Sequence, residues 1–279
     1  MADRSIFVQQ FELHVFELAY VLSLMGVESV ATLPDAVLFP LDPKLRQKIL
    51  REGEKRLTAQ DLMTPDEQAG QANYNDALLS MAAAVADPRL TILTRRETDD
   101  GRRTHATLFF NQVEVVELIQ AQRDRFRLRR LRDAAEAFQQ VRKMIGVAPS
   151  TACVCPAAEV GITTFEGVRQ HIKEKDAQAA AGDLVEAGMS AEAAGHFVAA
   201  LAAPQRRGVV SILKHVAQKV VDVRVLGFYL RDGGTWLTSV ASDAAQQVRI
   251  ESVDAEAMVR RLVDRVGNLC TTTALSVGS

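Results

Sequence analysis

The sequence predicts an α+β protein that is internally duplicated, with a central antiparallel β-sheet flanked by two α-helical bundles in pseudo-two-fold arrangement. Three observations predict it, each made twice along the chain in the same order. An alanine-rich amphipathic run is stopped by proline and followed by a β-branched run. An Asp-Gly step separates two alternating apolar runs. An alternating strand then gives way to an aspartate, a helical pattern and a glycine. A repeat of this kind is weighed first because it decides the architecture before any single element does.

The first copy opens on helical sequence, Phe11 to Met25 and Pro43 to Leu57. From Leu78 to Leu93 the pattern predicts a helix ended at Pro88, because proline lacks an amide proton and disfavours α geometry in the residue before it. Thr91 to Glu97 and Thr104 to Asn111 read as a hairpin about Asp99-Asp100-Gly101, with glycine supplying the positive φ of a tight turn. Arg125 to Leu131 alternates as a strand, and Asp133 caps the helix that follows. In that helix Ala134, Ala137, Phe138, Val141, Met144 and Ile145 share one face, and Gly146 ends it.

The second copy begins with helical sequence from Thr164 to Ala187. His196 to Leu213 repeats the helix, proline and β-branched run, with Pro204 as the stop. Asp222 to Leu230 and Thr235 to Ala241 flank Asp232-Gly233-Gly234, while Val209 to Val216 must pair with Asp222 to Leu230 through a turn that carries no strong signal. Gln247 to Val253 reads as a strand, Asp254 as a cap, and Ala255, Met258, Val259, Leu262 and Val266 as the apolar face of a helix ending at Gly267. Gly146 to Gly161, with Pro149 and Pro156, reads as the linker. The expected division is 1–155 for the first repeat, 156–270 for the second and 271–279 for a flexible tail, the two halves sharing one sheet.

Apolar residues make up 48% of the chain and charged residues 24%, which fits an ordinary soluble globular protein and excludes a disordered or membrane-embedded one. Formal net charge is −2, so no global field draws in nucleic acid and a charged partner must meet a local patch. Cys153, Cys155 and Cys270 are odd in number, and one residue separates the close pair, which is poor disulfide geometry; a reducing, cytoplasmic setting is expected. Glu12, His14 and Glu17 interrupt the most apolar stretch, Phe11 to Met25, so neither a spanning helix nor a signal peptide is expected there.

Chemistry-bearing motifs are sparse. Cys153-Val154-Cys155 places two soft ligands close together, but a structural zinc site wants four ligands, with two residues usually between paired cysteines. We read the pair as small apolar residues and expect no metal and no cofactor. His14, His105, His171, His196 and His215 stand apart, and no P-loop, GxGxxG or GxSxG motif follows a strand. No catalytic residue is assigned, and the chain is not read as an enzyme.

One local charge excess stands out. Between Arg123 and Lys143 eight basic residues face three acidic ones. Arg125, Arg127 and Arg129 project to one side of their strand and Phe126 and Leu128 to the other. Contact with nucleic-acid phosphates through these arginines is the alternative functional reading. A solvated charged face or a blunted sheet edge is the competing one, because no aromatics interleave and the matching strand of the second copy keeps only Arg249.

Several stretches together carry a resemblance: Leu57 to Met63 (LTAQDLM), Val85-Ala-Asp-Pro88, Leu184-Val-Glu-Ala-Gly-Met189, Leu201-Ala-Ala-Pro204, Val225-Leu-Gly-Phe-Tyr-Leu230, Gly234-Thr-Trp-Leu-Thr238 and the closing VRIESVDAEAMVRRLVDRV. Their order resembles the EspG family of type VII secretion chaperones. The resemblance implies a cytosolic, non-enzymatic protein that shields an apolar surface at the tip of a helical PE–PPE heterodimer. It uses the loop between the second and third strands and the C-terminal helical bundle. On this chain the loop is Thr98 to Arg103, giving Asp99, Asp100, Gly101, Arg102 and Arg103 as partner-binding residues. Leu184, Met189 and Phe197 are taken from the bundle. The chain departs from the family in its richness in Ala, Gln and Arg, and in having Phe11-Glu-Leu-His-Val-Phe16 where a tryptophan-containing helix is expected. Homodimerisation is compatible with the pattern.

Overall fold

A computed structural model of the chain describes residues 9–27, 29–30, 38–66, 71–147, 155–232, 234–242 and 246–271. Among them are eight α-helices and a ten-stranded antiparallel sheet, so the α+β class holds. The chain runs β1 (Gln10–His14), α1 (Val15–Leu24), α2 (Pro43–Ala59), β2 (Met63–Asp66), β3 (Gln71–Tyr74), α3 (Asp76–Ala86), β4 (Leu90–Thr98), β5 (Arg103–Phe110), β6 (Val115–Gln122), β7 (Arg125–Leu131) and α4 (Ala134–Ile145). It continues with β8 (Ala158–Gly161), α5 (Ile162–Lys173), α6 (Ala177–Glu186), α7 (Ala191–Ala202), β9 (Arg206–Val216), β10 (Lys219–Arg231), β11 (Gly234–Ser242), β12 (Gln247–Ser252) and α8 (Ala255–Thr271). Strand order in the main sheet is β1-β7-β6-β5-β4-β9-β10-β11-β12-β8, and β2 and β3 form a separate hairpin. No described helix is long and apolar enough to cross a membrane, which says nothing of crossing by strands.

The chain divides into two compact units. The first, Met1–Leu93 with Ala106–Ala137 and Leu213–Asp222, packs α1, α2 and α3 on β6 and β7. Leu18 and Leu22 of α1, Leu57 of α2, Leu78 and Met81 of α3, and Val116, Phe126 and Leu128 of the strands are all buried in one cluster. Burying a side chain of this kind contributes about 1.5–3 kcal/mol.

The predicted helix from Phe11 to Met25 begins late. Its first residues form β1, pairing antiparallel with β7 in the register Phe11↔Leu128 and Leu13↔Phe126. Alternation of Phe11 and Leu13 with Glu12 and His14 suits an edge strand. His14 then switches the chain to helix: its Nδ1 accepts the Phe16 amide, and its own amide donates to Glu17. This is a capping box with histidine in the cap position. Because β1 takes the outer side of β7, the blunted-edge reading of the arginine strand fails.

The second unit, Thr94–His105 with Phe138–Ile212 and Val223–Ser279, packs α5, α6 and α7 against β8, β11 and β12 around Phe197, Val168, Leu184, Trp236 and Ile250. The predicted helix from Thr164 to Ala187 is two helices. The first ends at Lys173, two residues before Lys175, which holds φ +64°, and Asp176 caps the next by accepting the Ala179 amide. β8 lies inside the predicted linker and pairs with β12, Val160 opposite Val248. Gly267 does not stop the last helix, which runs to Thr271; a glycine inside a helix costs only about 1 kcal/mol relative to alanine.

The hairpins fall as predicted at Thr98–Arg103 and Asp232–Gly234, with Gly101 at φ +78° and Asp232 at φ +49°. Gly233 lies outside the described residues, as do Cys153 and the predicted tail from 272 onward. Between β9 and β10 the turn with no strong signal is Ala217-Gln218, at φ +48° and +65°. Both residues occupy the left-handed region, which sequence preference assigns to Asn and Gly.

Candidate functional site

The β4–β5 hairpin of the second unit is ordered by its own side chains. Asp100 accepts the Thr98 hydroxyl, the Arg102 amide at 3.1 Å and the Arg102 guanidinium at 2.9 Å. Across the turn the Gly101 amide donates to the Thr98 carbonyl. Asp99 caps the Asp100 amide, and its own amide donates to Gln205, which fastens the tip to the start of β9. The Thr98 hydroxyl, then the Arg102 amide, hold the Asp100 carboxyl below its ordinary range. Asp99, Asp100, Arg102 and Arg103 are all exposed.

Strand alternation sends neighbouring side chains to opposite faces. On one face Arg96 donates to the Met144 carbonyl and Arg206 to that of Gly146, so two guanidinium groups meet the C-terminal end of α4, where unpaired carbonyls favour cations. Burial, then the charge of Arg206, lowers the Arg96 proton affinity. On the other face Glu97 of β4 joins Arg103 of β5 at 3.4 Å to Arg207 of β9 at 3.1 Å. Hydrogen bonding to Arg207 holds the Glu97 carboxyl below its ordinary value.

This second face is the floor of a groove of about 550 Å³, walled by Arg169, Ile172 and Lys173 of α5 and Leu201 of α7. Val209 and Tyr229 add apolar floor. Gly208, next to Val209 on β9, is required by close approach: a Cβ there would lie 1.9 Å from the Arg95 carbonyl oxygen and 2.6 Å from the Phe228 ring.

The predicted residues divide between rim and frame. Asp99, Asp100, Gly101, Arg102 and Arg103 stand together at the hairpin, with Arg103 lining the groove. Leu184, Met189 and Phe197 do not face solvent: their exposures are 0%, 5% and 0%. Leu184 and Met189 belong to the stop of α6, where Gly188 holds φ +97°, the Met189 amide donates to Leu184 and the Gly188 amide to Val185. That bonding, with both apolar ends buried, is a Schellman motif. The Leu184–Met189 string in the sequence is therefore a helix terminator. Phe197 sits at the centre of an aromatic group, 5.4 Å from Trp236, 6.3 Å from Tyr229 and 6.4 Å from Phe165. Through Tyr229 it supports the groove floor.

The arginine strand lies in the first unit. Arg125 is exposed, but Arg127 and Arg129 are half-buried, and Arg129 binds the buried Glu117 at 2.9 Å. Across β1, Arg127 stands opposite Glu12. The three arginines are not a free cationic stripe. Cys155 packs against the bundle of the second unit. Among the described residues no group of three or more His, Cys, Asp or Glu side chains could hold a metal ion. The groove itself carried no motif: Arg95, Arg169, Lys173, Arg207 and Tyr229 are scattered over four elements, and the only sequence signal was the hairpin at its rim.

No protein-family model matches the sequence, and no curated protein matches it. The fold does match a solved structure, described as that of the Mycobacterium tuberculosis type VII secretion system chaperone EspG5 in complex with PE25-PPE41 dimer. The match has a TM-score of 0.68 at 14% identity and covers 90% of this chain and 93% of that one. The resemblance anticipated from the sequence is present as a resemblance of fold.

Proposed function

We propose that this chain is a non-enzymatic, cytoplasmic binding protein of EspG type, which shields the apolar surface of a helical, PE/PPE-like secretion partner. The observation that carries the reading is the ordered, exposed hairpin Thr98–Arg103 beside a groove walled by α5 and α7. Counting strands of the main sheet along the chain, β4 follows β1, so this hairpin joins its second and third strands. Asp99, Asp100, Gly101, Arg102 and Arg103 contact the partner, and the buried Leu184, Met189 and Phe197 keep the bundle in shape for it. A rigid polar loop beside an apolar-floored groove suits helix-in-groove recognition, with the loop setting specificity.

The duplicated architecture belongs to the same reading, with 1–155 and 156–270 as the copies. Its support is the strand order, which runs outward from β4 and β9 through three consecutive strands on each side to an edge strand from the same half. Each set of four is preceded by a helix ending before proline and followed by a helix capped by aspartate.

Co-expression with a PE/PPE-like helical heterodimer, followed by calorimetric titration of the purified partners, tests the proposal. Reversing Asp99, Asp100, Arg102 and Arg103 together should weaken the complex roughly tenfold or more while leaving Tm unchanged, since four reversed charges replace favourable pairs with repulsive ones. Unchanged affinity in that variant removes the hairpin from the interface.

A further inference from the structure

The groove beside the hairpin carries more positive charge than the shielding of an apolar surface requires. Six Arg and Lys residues line it, namely Arg95, Arg96, Arg103, Arg169, Lys173 and Arg207, and among the described lining residues only Glu97 is acidic. The chain as a whole has net charge −2, so this excess is local. The six differ in occupation. Arg96 is turned to the Met144 carbonyl, and Arg103 and Arg207 share Glu97. Arg95, Arg169 and Lys173 are exposed, and none has an ion-pair partner among the described residues. They come from a strand and a helix to one cleft, with Ile172, Leu201, Val209 and Tyr229 beside them. Like charges gathered on a partly apolar surface repel, and an anionic occupant offsets that cost.

We infer that the segment seated in this groove is an amphipathic helix with an acidic polar face. Its apolar residues rest on Leu201, Val209 and Tyr229, and its carboxylates pair with Arg95, Arg169 and Lys173. The inference rests on the partner-binding reading above and adds the chemistry of the bound segment. A space of about 550 Å³ admits one face of a helix, a few side chains deep. Glu97 acts against the wrong charge: it already holds two guanidinium groups, so a basic segment would meet only the unpaired cations. A protein segment is favoured over a nucleic acid. Single strands need successive aromatic platforms or an extended phosphate track. Here Tyr229, the one Phe, Tyr or Trp among the described lining residues, is packed edge-on against Phe197.

The test is fluorescence anisotropy of the full chain with three synthetic amphipathic peptides, each on the order of 16 residues to allow helix formation. They share one leucine face and carry Glu, Gln or Lys on the polar face. The Glu peptide should bind roughly tenfold tighter than the Gln peptide and the Lys peptide weakest, as expected for a few partly exposed ion pairs. That advantage should vanish in the combined Arg95→Ala, Arg169→Ala, Lys173→Ala variant, and on raising salt from about 0.05 to about 0.5 M. All three side chains are exposed, so the variant keeps its core, and an unchanged Tm confirms this. Equal binding of the Glu and Gln peptides overturns the acidic selection and leaves helix binding intact. Failure of all three peptides to bind overturns the groove as a helix site. A short single-stranded RNA that binds more tightly than the Glu peptide, and loses binding in the same variant, overturns the assignment to protein.

Discussion

At Gly53 of α2 an added Cβ would lie 2.2 Å from the Phe16 carbonyl oxygen of α1. Helix propensity favours alanine there by about 1 kcal/mol, but overpacking costs about 1–3 kcal/mol and pushes against backbone, which yields little. Gly53→Ala should therefore lower stability in a denaturant titration, and a gain in stability would show that α1 and α2 do not approach so closely. A second residue, Glu17, is 1% exposed and uses both carboxyl oxygens, one for the His14 amide and one for the Gln60 side chain. Glu17→Ala leaves both donors without it and should cost about 1–3 kcal/mol, more than an exposed cap would. His215 adds a pH dependence. Burial, with Asp87 opposing, lowers its proton affinity below the ordinary value of 6.5. The unfolded chain then binds the proton more readily, so stability present above 6.5 is lost as pH falls below it. His215→Gln should flatten the decline of Tm between about pH 7 and about pH 5; parallel declines would contradict this. None of the three was legible in the sequence. Gly53 sits in an unremarkable helical pattern, and burial of Glu17 and His215 depends on partners distant along the chain.

Elements marked by local residue types are legible in the sequence, and those decided by distant partners are not. Hairpins at Asp99-Asp100-Gly101 and Asp232 are visible because Gly101 and Asp232 are residue types that accept the positive φ they adopt. Helix α4 was visible at both ends, through Asp133, which accepts the Glu136 amide at 2.8 Å, and Gly146, which holds φ +82°. The break between α5 and α6 was hidden because Lys175 fills the position where glycine usually signals a stop. The Lys175 amide donates to Ile172 and the Asp176 amide to His171, as in the motif that ends α6. Lys175→Gly should then raise stability by about 0.5–1 kcal/mol by relieving the left-handed conformation, read as a higher Tm. A loss would mean the lysine side chain holds the bundle by a contact of its own. β1 is hidden in the helical pattern because its five residues of alternating polarity blend into the apolar face that follows. Its identity is settled by β7, far along the chain. Phe197→Ala, in the bundle, should cost about 3–5 kcal/mol, since it empties the centre of the aromatic group. Any binding lost in that variant would follow unfolding, which distinguishes Phe197 from the hairpin residues.

For the molecule as a whole, the α+β class and the partition into hairpins and capped helices were readable because they rest on short-range signals. The groove was not. Its cations are contributed by β4, β5, β9 and α5, and only the sheet order gathers Glu97, Arg103 and Arg207 into one cluster. The arginine strand is partly neutralised by Glu117, whereas the charge excess of the groove lies on residues with no spacing in common. In the function proposed above, the hairpin and the groove beside it form the partner surface. Hydrogen–deuterium exchange of the chain, alone and mixed with a PE/PPE-like heterodimer, reads this out segment by segment. Protection should appear at Thr98–Arg103, the C-terminal half of α5 and the end of α7. Protection confined to other segments, with the hairpin exchanging at the same rate in both states, would contradict it.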